Sequence, residues 1–247
     1  MSEEPDRMAP PSGERIAALP LFPLHTVLFP QGRLALKVFE TRYLDMVGQC
    51  LRDGTPFGVV QLNEGQEAGR DPLVRFDAGG TLALIDEVDA ARPGILLLRC
   101  HGSQRFIADE PSCQPDGLWR ADVQLLADDV AQPPKAGLEA AAALKRVADM
   151  LGARAAASAA ASTADGAPAP TLPQPLRLDD AGWVANRWCE LLPLPPPLRR
   201  HLLLLADPQR RLERIEALLR RYGVIDREGG SDDSNDGGSE HRGPAVH

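Results

Sequence analysis

The chain has 247 residues and a mass of 26.6 kDa, enough for one large domain or two small ones. It is 43% hydrophobic but only 4% aromatic, so its core must come chiefly from Leu, Val, Ile and Ala. Four scattered cysteines with no CxxC pair argue against a disulfide framework or zinc cluster, and a net charge of -8 argues against broad neutralisation of nucleic-acid phosphates.

Residues 1–15 hold four acids and two arginines and lack an apolar run, so they read as a disordered tail rather than a signal peptide. Residues 226–247, with six acids and two arginines, read as a disordered acidic tail. The tails carry most of the negative charge and leave the body between them close to neutral. The longest apolar stretches, 95–98 and 202–206, fall far short of a bilayer span. The expected location is the cytoplasm, with no membrane partner.

Residues 16–130 read as a β-rich subdomain. A strand is expected at 18–24, then a loop, HTVLFPQG, then a strand at 33–39, RLALKVF. A helix follows at 40–52, with Phe39, Tyr43, Val47 and Cys50 as its apolar stripe, closed by Gly54 and Pro56. Further strands are expected at 57–62, 80–88, 95–101, 104–110 and 119–126. Residues 63–79 form a polar excursion, and His101-Gly102-Ser103 reads as a tight turn between paired strands. Short strands with one early helix suggest a small barrel, whose closure removes vulnerable sheet edges.

After Pro133-Pro134 the period changes, and residues 135–225 read as a helical subdomain. Leu138, Ala141, Leu144, Val147 and Leu151 share one face of a helix at 136–151. The Ala/Ser/Pro-rich segment 153–177 is a flexible insertion, although its alanines can lengthen the preceding helix by a few residues. Asp179 or Asp180 caps a helix carrying Trp183 or Val184, Trp188, and Leu191 or Leu192. A short helix is expected at 198–205. Asp207-Pro208 then opens a last helix with Leu212, Ile215, Leu219 and Tyr222 on one face and Gly223 beyond its end.

Catalytic signatures are missing. The chain has no GxxxxGK[ST] or GxGxxG phosphate loop, no HExxH and no GxSxG elbow, so no catalytic residue, cofactor or metal ligand is assigned. His25 reads as a loop residue bonded to backbone. Cys100 and His101 are adjacent on a strand and point to opposite faces, which opposes a dyad. His201 sits among arginines as a packing or surface residue. Asp86, Glu87 and Asp89, like Asp128 and Asp129, read as solvated strand ends.

The segment LPLFPLHTVLFPQGRLALKVFETRYLDMV at 19–47 resembles the opening of the amino-terminal, substrate-binding domain of ATP-dependent Lon proteases. PFGVV at 56–60, GTLALIDEV at 80–88, LLLRCHGSQRFIADE at 96–110 and WRADVQLLADD at 119–129 follow in the same order, as does the helical stretch 185–219. The resemblance covers about 17–225 and stops before any ATPase or peptidase module, so the expected relatives are stand-alone Lon-domain proteins. It implies an α+β fold, a PUA-like pseudo-barrel with an early helix followed by a small helical bundle. It also implies a non-enzymatic module that binds unfolded polypeptide or a protein partner, with a protease among the candidates, as an adaptor in protein quality control. The candidate peptide surface is the 24–32 loop with Val27, Leu28 and Phe29, flanked by Phe39, Tyr43 and Phe106. Phe39 and Phe106 are expected in the core, while Leu28 and Phe29 are open between core and surface. Arg42 and Arg105 either bind a peptide carboxylate or make internal ion pairs. The alternative function is RNA binding through Arg199-Arg200, Arg210-Arg211 and Arg220-Arg221, opposed by the acidic balance and by having only three lysines.

Overall fold

A computed structural model describes residues 6–67, 74–160 and 172–226. Six strands come first: β1 (Pro11–Leu24), β2 (Arg33–Val38), β3 (Phe57–Glu64), β4 (Arg75–Arg92), β5 (Ile95–Cys113) and β6 (Trp119–Leu126), with helix α1 (Thr41–Asp53) between β2 and β3. Four helices follow: α2 (Ala140–Ala160), α3 (Ala181–Leu191), α4 (Pro196–Leu204) and α5 (Pro208–Arg221). Among the described residues, no helix is long and apolar enough to cross a membrane.

The sheet order is β2-β5-β4-β3-β1-β6, and β6 pairs again with β5. Five strands therefore close into a ring, while β2 hangs outside it on the first half of β5. The β1–β3 pair is parallel and the others are antiparallel. Strand alternation sorts the apolar residues into two layers. Leu19, Leu21, Val60, Leu82, Phe106, Ala121 and Val123 form one core, with the Phe106 ring lying over Gly58 and Gly80. Phe22, Val59, Ala83, Leu98 and Cys100 point the other way and pack on Tyr43, Met46, Val47 and Cys50 of α1. Burial pushes the Cys100 thiol up to about 12, which suits an inert packing residue.

Several boundaries differ from the sequence expectation. The supposed tail 1–15 is structured from residue 6: Met8 bridges Leu205, the Ala9 N–H donates to the Leu204 carbonyl at 2.8 Å, and β1 starts at Pro11. Its outer half pairs with β6 while its side chains stay exposed, so no apolar alternation announces it. Residues 1–5, 227–247 and 161–171 lie outside the described residues, so the tail and insertion expectations are untouched there. The rest of the expected insertion 153–177 is partly helix, because α2 runs on to Ala160.

The expected turn at 101–103 is instead the middle of β5. Gly102 N–H donates to the Gly32 carbonyl at 2.9 Å, and Gln31 N–H donates to the Gly102 carbonyl at 2.7 Å. A β-carbon at Gly102 would collide with the Phe29 carbonyl oxygen, so glycine is required by close approach of the 29–32 loop rather than by a turn.

The bundle buries Leu144, Trp183, Val184, Trp188, Leu202, Leu212, Ile215 and Leu219, and Val27 and Phe29 from the barrel side join the same core. Asp180 caps α3 by accepting from Gly182 and Trp183 N–H, and Asp207 caps α5 by accepting from Gln209 and Arg210 N–H. Trp188 Nε1 donates to the Ala140 carbonyl at 2.9 Å and ties α3 to α2.

Candidate functional site

Three buried arginines join the barrel to the bundle. Arg105 on β5 donates to the carbonyls of Leu203, Leu205 and Ala127 and to Asp129 Oδ1 at 2.9 Å. Arg211 on α5 reaches the same carboxylate, 2.6 Å to Oδ2 and 3.2 Å to Oδ1, and also the Leu202 and Leu205 carbonyls and Asn186. Asp129 thus bridges two guanidiniums that are 2% and 1% exposed. Burial alone would raise its carboxyl, but the bonds and charge of Arg211, then Arg105, hold it below the usual carboxylate value. The third arginine, Arg187 on α3, donates to the Gln31 and Pro30 carbonyls and pairs with Glu190 at 3.1 Å. Burial pushes the Glu190 carboxyl up to about 7, against the opposing Arg187 charge and a bond from Phe29 backbone.

These contacts decide most of the expected site. Val27, Leu28 and Phe29 are 8%, 3% and 0% exposed, so the loop residues proposed as a peptide surface are interior. The cause is visible: Arg187 grips the next two carbonyls and pulls the loop onto the bundle. Arg105 is likewise an internal ion-pairing residue. Arg42 pairs with Glu40 at 3.0 Å and donates to the Gly117 carbonyl at 2.8 Å. Asp129, expected at a solvated strand end, is the bridge just described. Arg200, Arg210, Arg211 and Arg220 have carboxylate partners in Asp77, Asp6, Asp129 and Glu216, so these arginines do not form an open phosphate-binding surface.

His25 and His101 are placed by carboxylates. The His25 N–H donates to Glu67, and His101 Nδ1 lies 2.6 Å from Asp86 Oδ1, while Cys100 faces the α1 core. Glu87 pairs with Arg99 at 3.0 Å. A polar cleft of about 430 Å³ opens nearby between barrel and bundle, lined by Gln31, His101, Gln104, Asp128, Arg177 and Asn186 among others. Its charges are mixed, and Arg177 pairs with Asp180 at 2.8 Å. Among the described residues, no cluster of His, Cys, Asp and Glu could hold a metal ion.

A different feature has the character of a binding surface. Strand β2 pairs with β5 on one side and, among the described residues, with no strand on the other. Every second residue of such an edge turns its N–H and C=O outward. Beside it runs a groove of about 300 Å³ lined by Phe22, Leu24, Leu36, Phe39, Tyr43 and Glu67, with Ala35, Lys37, Val38 and Glu40 completing it. Phe22 and Tyr43 stack with ring centroids 3.9 Å apart and form an aromatic floor. Tyr43 is buried, with its hydroxyl pushed up to about 12 chiefly by that burial.

Phe39, expected in the core, is 54% exposed. Val38 takes the inward position at the end of β2, and strand alternation turns Phe39 outward before Glu40 caps α1. Of the expected residues, the structure therefore brings Tyr43 and Phe39 to one groove and withdraws the others. The β2 edge was not anticipated. The signal was a strand of exposed Arg33, Ala35 and Lys37 alternating with Leu34, Leu36 and Val38, followed by a solvent-facing aromatic.

The model of the substrate-binding domain of the ATP-dependent protease La (Lon) matches residues 18–221. A crystal structure of a Lon N-terminal domain protein from Xanthomonas campestris is 34% identical, covers 82% of this chain and 98% of its own, and superposes with a TM-score of 0.60. The N-terminal domain of a Mycobacterium avium complex Lon protease is 17% identical, covers 80% and 95% respectively, and gives a TM-score of 0.49. No curated protein matches the chain. With the family model spanning both barrel and bundle, and a relative of one-third identity sharing almost its whole length, the chain belongs to the Lon substrate-binding domain family.

Proposed function

We propose that this protein is a non-enzymatic recognition module that captures unfolded polypeptide as an extra strand on the open edge of β2. The observation that carries this reading is a strand edge that no other strand pairs among the described residues, beside the exposed Phe39 and the Phe22–Tyr43 floor. Main-chain hydrogen bonds to an edge suit a sequence-tolerant binder, and adjacent apolar pockets select extended segments that a folded protein would hide. The family's substrate-binding description supports the same class of ligand. In this reading the module works in the cytoplasm, in protein quality control, presenting captured chains to a separate protease.

The test is titration of a fluorescent, extended apolar peptide against the protein and a Phe39→Asp variant. Removing a half-buried aromatic contact should weaken binding about tenfold or more, given roughly 1.5–3 kcal/mol for burial of a Phe side chain. The position is exposed, so stability should change by no more than about 0.5 kcal/mol. Equal affinity for both proteins would remove β2 and its groove as the site. Polar substitution of Leu28 or Phe29 would disturb the core and is the wrong probe.

A further inference from the structure

The edge of β2 carries its own charge code. Arg33, Ala35 and Lys37 are the exposed residues of the strand, and Leu34, Leu36 and Val38 turn toward the α1 side. Arg33 and Lys37 therefore share a face, four residues apart, about 13 Å along a strand. Their cross-strand neighbours on β5 are His101 and Leu97. His101 is committed to Asp86 and Leu97 has no charge, and among the described residues neither Arg33 nor Lys37 has a carboxylate within ion-pair distance. The carboxylates that line the groove are engaged elsewhere: Glu40 with Arg42, and Glu67 with the His25 N–H.

Directly opposed side chains on neighbouring strands attract or repel according to charge. A chain added to β2 would place residues i and i+4 opposite these two cations on one face. Its residues i+1 and i+3 would lie on the opposite face, that of Leu34, Leu36 and Val38, toward the Phe22–Tyr43 floor. A second copy of β2 fits poorly, since antiparallel self-pairing sets Arg33 and Lys37 against one another, a recognised protection against edge-to-edge association.

We infer that β2 selects extended polypeptides with acidic residues at i and i+4 and apolar residues at the alternating positions between them. This inference rests on the edge-binding reading above and adds the side-chain chemistry of the ligand. Charge complementarity at Arg33 and Lys37 fixes register along an otherwise sequence-tolerant edge, while the apolar positions supply burial.

Three short synthetic peptides with the same apolar residues and Glu, Gln or Lys at i and i+4 provide the test, titrated at low and high salt. The wild type should bind the Glu peptide about tenfold more tightly than the Lys peptide at low salt, with the gap narrowing as salt rises. The double variant Arg33→Glu/Lys37→Glu should reverse the order, with circular dichroism confirming the fold. Equal binding of all three peptides, abolished by Phe39→Asp, would overturn the charge inference and leave edge binding standing. Failure of all three to bind would overturn both. A preference for the Glu peptide that survives the double charge reversal would also overturn the inference, because the selecting cations would lie elsewhere.

Discussion

Replacing Asp129 with Ala should strip the barrel–bundle junction of its central anion. The variant leaves two guanidiniums, 2% and 1% exposed, facing each other without a counter-charge. Removing one partner of a buried ion pair costs about 3–5 kcal/mol, because the remaining charge stays desolvated. Here the carbonyls of Leu203, Leu205 and Ala127 still receive Arg105, and those of Leu202 and Leu205 still receive Arg211, which argues for the lower half of that range. Urea unfolding monitored by Trp183 and Trp188 fluorescence would read the loss, since both lie in the bundle core. Asp129→Asn keeps the shape and should cost less. The carboxyl lies below its unfolded value of about 3.9, so its contribution is complete above that pH and disappears as pH falls through the folded value. The advantage of wild type over Asp129→Asn should therefore shrink on acidification below about pH 4. A cost under about 1 kcal/mol for Asp129→Ala would refute the bridge as a stabilising element.

Two further outcomes follow from the 29–32 loop. Gly102→Ala drives a methyl group into the Phe29 carbonyl and should destabilise by about 1–3 kcal/mol in thermal unfolding, whereas a surface strand position would tolerate it. Glu190 has its carboxyl raised to about 7 by burial, so the folded state holds its proton where the unfolded chain has released it. Wild-type stability should then fall as pH rises from about 4.3 to about 7, and Glu190→Gln should remove that part of the slope. Identical pH profiles for the two proteins would show that the group does not titrate in that window.

Features set by local chemistry were legible in the amino-acid order. Asp180 and Asp207-Pro208 cap the helices expected of them, and Gly54 and Gly223 take positive φ at helix ends. The apolar face of Leu212, Ile215 and Leu219 lies in the core as its spacing required. What escaped depends on distant partners. Arg105, Arg187 and Arg211 carry no local mark of burial; they are interior because orphan carbonyls at the end of α4 and in the 30–31 loop need donors. Residues 11–15 look like a tail because their strand is held by backbone pairing to β6, which side-chain patterning does not report. The edge position of β2 was hidden for the same reason. A strand at a sheet edge and one inside it share the same alternation, and only topology shows that β2 lies outside the closed ring.

The most direct test of the account is amide hydrogen exchange across residues 33–39, with and without an extended apolar peptide. Strand addition predicts slowed exchange at alternating β2 amides, those turned away from β5, while amides around the barrel–bundle cleft at Gln31, His101 and Arg177 stay unchanged. Protection confined to that cleft, with β2 exchanging as before, would contradict it.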